Sequence, residues 1–209
     1  MIIKKKIIIV DYGVGNILSI KNAVSINGYN ALITSNNKTI ENATHIILPG
    51  VGSFPAAMEK LKKKKLDDSI KKAVKNDVYL LGICLGMQLI FSESDEFKTT
   101  KGIGIIEGKI KKIKTDLKLP NIGWRNCILK NNNSKIRILK NISSKDHFYF
   151  VHSYCLNQYD KTILVEKSKY GKNEFPCIFE NQNIFGCQFH PEKSRTSGLK
   201  IINNFISLE

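Results

Sequence analysis

One short stretch constrains the fold more than any other. An apolar run from Val78 to Ile83 closes on Gly82-Ile83-Cys84-Leu85-Gly86, and a helical pattern follows. A bounded run of this length suits a strand buried on both faces of a parallel sheet. Glycines two residues to either side of Cys84 describe a strand–turn–helix elbow, with sulfur where such elbows often carry a hydroxyl. Small flanking residues let neighbouring backbone come close to the strained turn. A helix that begins at the cysteine offers its amides and its positive dipole end to a thiolate. A buried structural thiol would also explain the cysteine taken alone, so the rest of the chain must decide.

The first third alternates strand and helix. Strands are expected over 6–11, 31–34, 45–48 and 78–83, and helices over 16–27 (with Gly28 as C-cap), 55–63 and 67–75. Such βαβα order predicts a parallel sheet with helices on both faces, whose ligands bind beyond the carboxyl ends of the strands. Three glycine-rich loops fall there, at 13–15, 50–52 and 82–86. The second half changes character. Strands are expected over 105–113, 148–151, 162–165, 177–180 and 184–189, a turn-rich loop over 120–126, and a closing helix over 197–208. No repeat or linker interrupts the chain. The expectation is one α/β domain over residues 1–209, built on an open mixed, mainly parallel sheet.

The 209 residues suffice for a single core. No segment approaches the ~18 consecutive apolar residues of a membrane span. Basic residues precede an apolar stretch in Met1–Val10, but that stretch is too short for a secretory signal, and the chain reads as cytoplasmic. The five cysteines include no C-x-x-C pair, which argues against a disulfide framework and against a zinc ribbon. Cys177 and Cys187 could face each other across a hairpin turning at 181–183. The net charge of +15 comes largely from lysine runs such as Lys62–Lys65 and Lys109–Lys114. They lack interleaved aromatics or a nucleic-acid motif, so they read as solvated faces rather than a nucleic-acid surface. An acidic protein partner suits them better.

A cysteine nucleophile needs a base, and the base an orienter. Of the four histidines, His190 stands out in His190-Pro191-Glu192, just after a strand. Pro191 favours extended backbone before it, and in an extended segment residues i and i+2 point the same way. Glu192 can then hold the His190 ring as the carboxylate does in Ser-His-Asp sites. His45 reads as structural and His147 as solvated, while His152, at a strand end, fits either the core or the site. Thioester chemistry needs backbone donors for an oxyanion. The loop Gly50-Val51-Gly52 and the Leu85 N–H are placed to supply them. Gln88, one helical turn after Cys84, lies on the same helix face.

These motifs resemble a known family. Gly82-Ile-Cys-Leu-Gly-Met-Gln88 with His190-Pro-Glu192 resembles the class I (triad) glutamine amidotransferases. Asp11-Tyr-Gly-Val-Gly-Asn16, Pro49-Gly-Val-Gly-Ser-Phe54, Ile122-Gly-Trp124, Phe150-Val-His-Ser-Tyr154 and His190-Pro-Glu-Lys-Ser194 narrow the likeness to glutaminase subunits of imidazole glycerol phosphate synthase. The resemblance implies that Cys84 attacks glutamine, that His190 moves the proton, and that Glu192 orients His190. It implies that Gly50, Val51, Gly52 and Leu85 serve the oxyanion, and that Gln88, Ser153 and Tyr154 hold the substrate. It further implies a (β/α)8-barrel cyclase subunit that receives ammonia for histidine biosynthesis, with Asn16, Trp124 and Lys193 facing it, and no metal or organic cofactor. One loop departs. The family pattern His-x-Gly-Trp-Asn is replaced by Asn121-Ile-Gly-Trp-Arg125, which leaves open a paralogous partner that uses ammonia to amidinate a surface-polysaccharide sugar.

Overall fold

A computed structural model describes residues 5–129 and 134–209. The basic start of the Met1–Val10 stretch, residues 1–4, lies outside them. Strands β1 (Ile7–Val10), β2 (Ala31–Thr34), β3 (His45–Leu48) and β4 (Tyr79–Ile83) follow the expected spans within a residue or two. They alternate with α1 (Ile17–Ile26), α2 (Asn37–Glu41), α3 (Phe54–Lys63) and α4 (Leu66–Lys75). The short helix α2 was not foreseen. Its five residues carry no long apolar period, and it is capped by Asn36, whose side chain accepts from the Thr39 amide.

Strands β11 (Leu164–Tyr170), β12 (Asn173–Asn181) and β13 (Ile184–Cys187) complete a seven-stranded sheet in the order β11-β12-β13-β4-β3-β1-β2. The pairings from β2 through to β13 are parallel, and the β13–β12–β11 end is antiparallel. The mixed, mainly parallel sheet of the sequence reading is therefore present. Both faces are covered. Ile7, Ile9, Ile47, Leu81 and Ile83 pack into one cluster with α1 and with α6 (Arg195–Ile206). Ile8, Val10, Ile46, Leu48 and Leu80 pack into the other with α3 and α4. Consecutive strand residues point to opposite faces, so strands covered on both sides read as unbroken apolar runs.

The second half departs from a single sheet. Strands β5 (Phe91–Ser94), β6 (Thr100–Lys101), β7 (Ile106–Lys112) and β10 (Tyr154–Tyr159) form their own four-stranded sheet, in the order β10-β7-β5-β6. Residues 120–126, read as a loop, are instead strand β8 (Asn121–Asn126), paired antiparallel with β9 (His147–His152) from Asn121 opposite His152 to Asn126 opposite His147. Pro120, Gly123 and the asparagines signal a turn locally. The partner strand overrides them by burying Phe148 and Phe150 in the core. The Cys177–Cys187 pairing is also corrected. The hairpin register sets Ile178 opposite Cys187, and the thiol beside Cys177 is that of Cys127, with sulfurs 3.3 Å apart. All five cysteines are free thiols.

Candidate active site

Cys84 sits between β4 and the five-residue helix α5 (Leu85–Leu89), with φ 54° and ψ −110°. An L-residue occupies this conformation only when its surroundings over-determine it. Here they do. A Cβ on Gly86 would stand 2.0 Å from the Leu48 carbonyl oxygen, and one on Gly50 would stand 2.3 Å from the Gly86 nitrogen. The loop after β3 is thus pressed directly onto the elbow. The fully buried Tyr12 hydroxyl pins that loop by donating to the Pro49 carbonyl (2.8 Å). Burial first, and the neighbouring Cys84 second, raise the Tyr12 pKa, so Tyr12 remains a neutral donor.

Cys84 opens into a cavity of about 250 Å³, the size of an amino acid rather than a nucleotide, lined also by Val51, Gly52, Leu85, Gln88, Glu96, Pro120, Val151, His152, Ser153, Tyr154 and His190. A larger hollow of about 770 Å³, between Ser134–Ile142 and α6, is lined by neither cysteine nor histidine. Cysteine, histidine, the 50–52 loop, Leu85, Gln88, Ser153 and Tyr154 therefore meet in one place. Gly50 is the exception: it packs behind the elbow, and Val51 and Gly52 face the cavity.

His190 Nδ1 lies 2.8 Å from Glu192 Oε1, with both side chains almost wholly buried. The route differs from the sequence expectation. His190 itself is extended (φ −98°, ψ 96°), but Pro191–Lys193 forms a 3-10 turn, and that turn brings the carboxylate under the ring. A carboxylate accepts, so Nδ1 carries hydrogen and Nε2 is the atom free to exchange a proton. Nε2 has no hydrogen-bond partner among the described residues. Burial opposes charge on the ring, but the Cys84 and Glu192 side chains outweigh it, by hydrogen bonding first and by charge second, and raise the pKa to about 10. The imidazole therefore holds both protons at neutral pH.

The cavity wall is a connected set of amides. Gln88 Nε2 donates to the Tyr154 carbonyl (2.9 Å) and to Gln188 Oε1 (2.9 Å), so both its protons are spent inside the protein. Gln88 can meet a bound molecule only through its oxygen. His152 Nδ1 also donates to the Tyr154 carbonyl (2.9 Å), and its Nε2 then accepts from Asn121 Nδ2 (3.0 Å). Asn121 Oδ1 in turn accepts from Arg125 Nε (2.6 Å), and Arg125 lies 4.6 Å over the Tyr170 ring. The two residues that depart from the family pattern, Asn121 buried and Arg125 half-buried, therefore support a cavity-lining histidine. Burial lowers the pKa of His152 to about 4, with Arg125 and His190 adding to the effect against the Tyr154 carbonyl, so the ring is neutral.

Outside the cavity, Trp124 is 43% exposed, packs on Tyr149 and receives Arg195 over its face. Lys193 Nζ lies 5.9 Å from the Tyr149 ring. Asn16 precedes α1 but makes no side-chain cap bond. Sequence reasoning missed Glu96, Tyr12 and Gln188. Glu96 accepts from the Phe54 amide (2.6 Å) at the cavity edge, and burial raises its pKa against that bond. None of the three stands at a spacing from Cys84 that a sequence pattern reports.

Residues 8–208 match the family model described as glutamine amidotransferase class-I. The chain is 45% identical over 201 residues to imidazole glycerol phosphate synthase subunit HisH of Methanocaldococcus jannaschii, covering 96% of this chain and 98% of that one. It is 40% identical over 205 residues to subunit HisH 1 of Methanococcus maripaludis (97% and 99%). It is 44% identical over 205 residues to subunit HisH 2 of Vibrio vulnificus (96% and 94%). Among solved structures, PurLQS from Thermotoga maritima superposes with a TM-score of 0.74 at 19% identity over 97% of this chain and 98% of that one, a likeness of fold.

Proposed function

Because this chain belongs to the class-I glutamine amidotransferases, we propose that it is the glutaminase subunit of an imidazole glycerol phosphate synthase, hydrolysing glutamine and passing the ammonia to a (β/α)8-barrel cyclase subunit in histidine biosynthesis. The observation that carries this reading is the single cavity shared by Cys84 and His190, with Glu192 bonded behind the ring.

The chemistry follows from the atoms. The Cys84 sulfur attacks the side-chain carboxamide carbon of glutamine, and its oxygen becomes an oxyanion facing donors of the 50–52 loop and the Leu85 N–H. The C–N bond breaks as His190 Nε2 delivers its proton to the departing nitrogen, which leaves as ammonia. A γ-glutamyl thioester remains. Water then attacks its carbonyl, giving a proton to Nε2, and glutamate departs as the sulfur regains its charge. Glu192 holds the ring so that Nε2 serves both steps. Gln88 through its oxygen, with Ser153 and Tyr154, holds the substrate. No step requires a metal or organic cofactor.

The barrel-facing role of Asn16, Trp124 and Lys193 is supported by exposed apolar side chains near the cavity. Val51 (39%) lines its mouth, and Ile122 (55%) is the β8 neighbour of the cavity residue Val151. The test is glutamate release from glutamine, measured for this chain alone and with the barrel subunit plus an acceptor analogue. Release should be slow alone and much faster with both, and Cys84→Ala should abolish it. Full activity in that variant refutes the mechanism. Because Asn121 and Arg125 replace the family pattern, complementation of a histidine auxotroph decides between this acceptor and a sugar-amidinating partner.

A further inference from the structure

The geometry points to Gln188 as a further catalytic residue: its side-chain amide donates to the Cys84 sulfur, holding it in place and favouring its anionic form. This inference rests on the reading of Cys84 as nucleophile.

The orientation of the amide is fixed by elimination. The Tyr154 carbonyl can only accept, so the Gln88 atom 2.9 Å from it is nitrogen. That nitrogen's second proton points to Gln188, so the Gln188 atom 2.9 Å away is oxygen. The remaining terminal atom of Gln188 is then Nε2, and it faces Cys84 Sγ at 3.7 Å. A flipped Gln188 would set two donors against each other at Gln88. Gln188 has no solvent exposure, and its backbone is tied to β12 by donating to the Cys177 carbonyl (2.8 Å). An unpaired amide there would be costly, so the donor has nowhere else to go.

A long N–H···S contact to a neutral thiol is weak, but the same donor is worth more to a charged acceptor. The difference favours the anion. The other groups that bear on the sulfur are few. His190, backed by Glu192, shares the cavity with it; the Val151 carbonyl, 4.0 Å away, accepts from the neutral thiol and opposes the anion; His152 is neutral; Glu96 stands at the cavity edge; Tyr12 and Cys187 are neutral neighbours. Among the described residues no Lys or Arg lines the cavity. Apart from His190, whose proton must leave and return in each turnover, Gln188 is the side chain whose donor points at the sulfur, and it exchanges no proton. It would also keep the sulfur from turning away while His190 is deprotonated.

The test is the pH dependence of Cys84 alkylation by iodoacetamide in the free protein, read by mass spectrometry of the Cys84 peptide, with Cys84→Ala as blank. Gln188→Met keeps the volume and removes the donor. Its alkylation profile should move upward by about one pH unit, and glutamine turnover should fall about tenfold with KM little changed. Gln188→Glu keeps the shape but presents only acceptors, and should move the profile further the same way; it serves alone if the Met variant does not fold. Gln88→Met, which frees the Gln188 amide, should give a smaller upward shift. Superimposable profiles for wild type and the Gln188 variants overturn the inference while leaving the nucleophile reading intact. Failure of wild-type Cys84 to react at any pH overturns both.

Discussion

Cys84 holds φ 54° and ψ −110° because backbone is packed against backbone beneath it. Adding one methyl there should be decisive. Gly86→Ala places a carbon 2.0 Å from the Leu48 carbonyl oxygen and 2.9 Å from that of Pro49. Neither atom belongs to a flexible side chain, so the Leu48–Pro49 backbone that leads into the 50–52 loop must move. We expect glutaminase activity to be lost and stability to fall by about 2 kcal/mol or more, seen as a lower urea midpoint. Glu192→Gln keeps the size of the group that orients His190 but removes its charge and can present nitrogen to Nδ1. Turnover should fall by roughly 10²- to 10⁴-fold with folding intact, as steady-state glutamate release will report. The meeting of Cys84, His190 and Glu192 was readable from local motifs, since each of these residues is announced by its immediate neighbours. Gln188 and Tyr12 were not, because their partners lie far along the chain.

Strand β8 shows where local signals mislead. Its turn-like composition reflects an exposed edge carrying Ile122 and Trp124, while Asn121 is fully buried. Asn121→Leu would leave His152 Nε2 and Arg125 without their partner in a desolvated place. A loss of about 1–3 kcal/mol is expected by urea denaturation, together with impaired glutamine turnover, since His152 lines the cavity. Trp124→Ala is its complement. The ring is half exposed, so stability should change by about 1 kcal/mol or less, while stimulation by the barrel subunit should drop. Equal stimulation of the variant and wild type would remove Trp124 from the interface. The parallel strands, by contrast, were read almost to the residue, because burial on both faces writes itself as an uninterrupted apolar run.

The whole molecule carries two buried histidines held neutral, and this sets its acid response. Burial lowers the pKa of His45 to about 4, helped by Lys5, and burial likewise lowers that of His152 to about 4. Unfolded, each titrates near 6.5. Their contribution to stability is therefore complete above about pH 6.5 and is lost as the pH falls toward 4, on the order of 3 kcal/mol each. His190 has the opposite sign: its raised pKa favours folding at neutral pH and loses that effect as the pH climbs through about 10. Urea midpoints should accordingly decline from about pH 7 to pH 4, and His45→Phe, if it folds, should flatten that decline. Local signals suffice for the alternating strands and helices, the elbow at Cys84 and the His190–Glu192 pair, because periodicity, glycine spacing and neighbouring residues act over a few positions. Long-range packing is what splits the second half into a four-stranded sheet and a β8–β9 ribbon. It alone decided that a 3-10 turn carries Glu192 to His190, and that Gln88 and Gln188 form one amide chain ending at the sulfur. Those outcomes depend on which buried donors and acceptors, a hundred residues apart, satisfy one another, and no local pattern records such a choice.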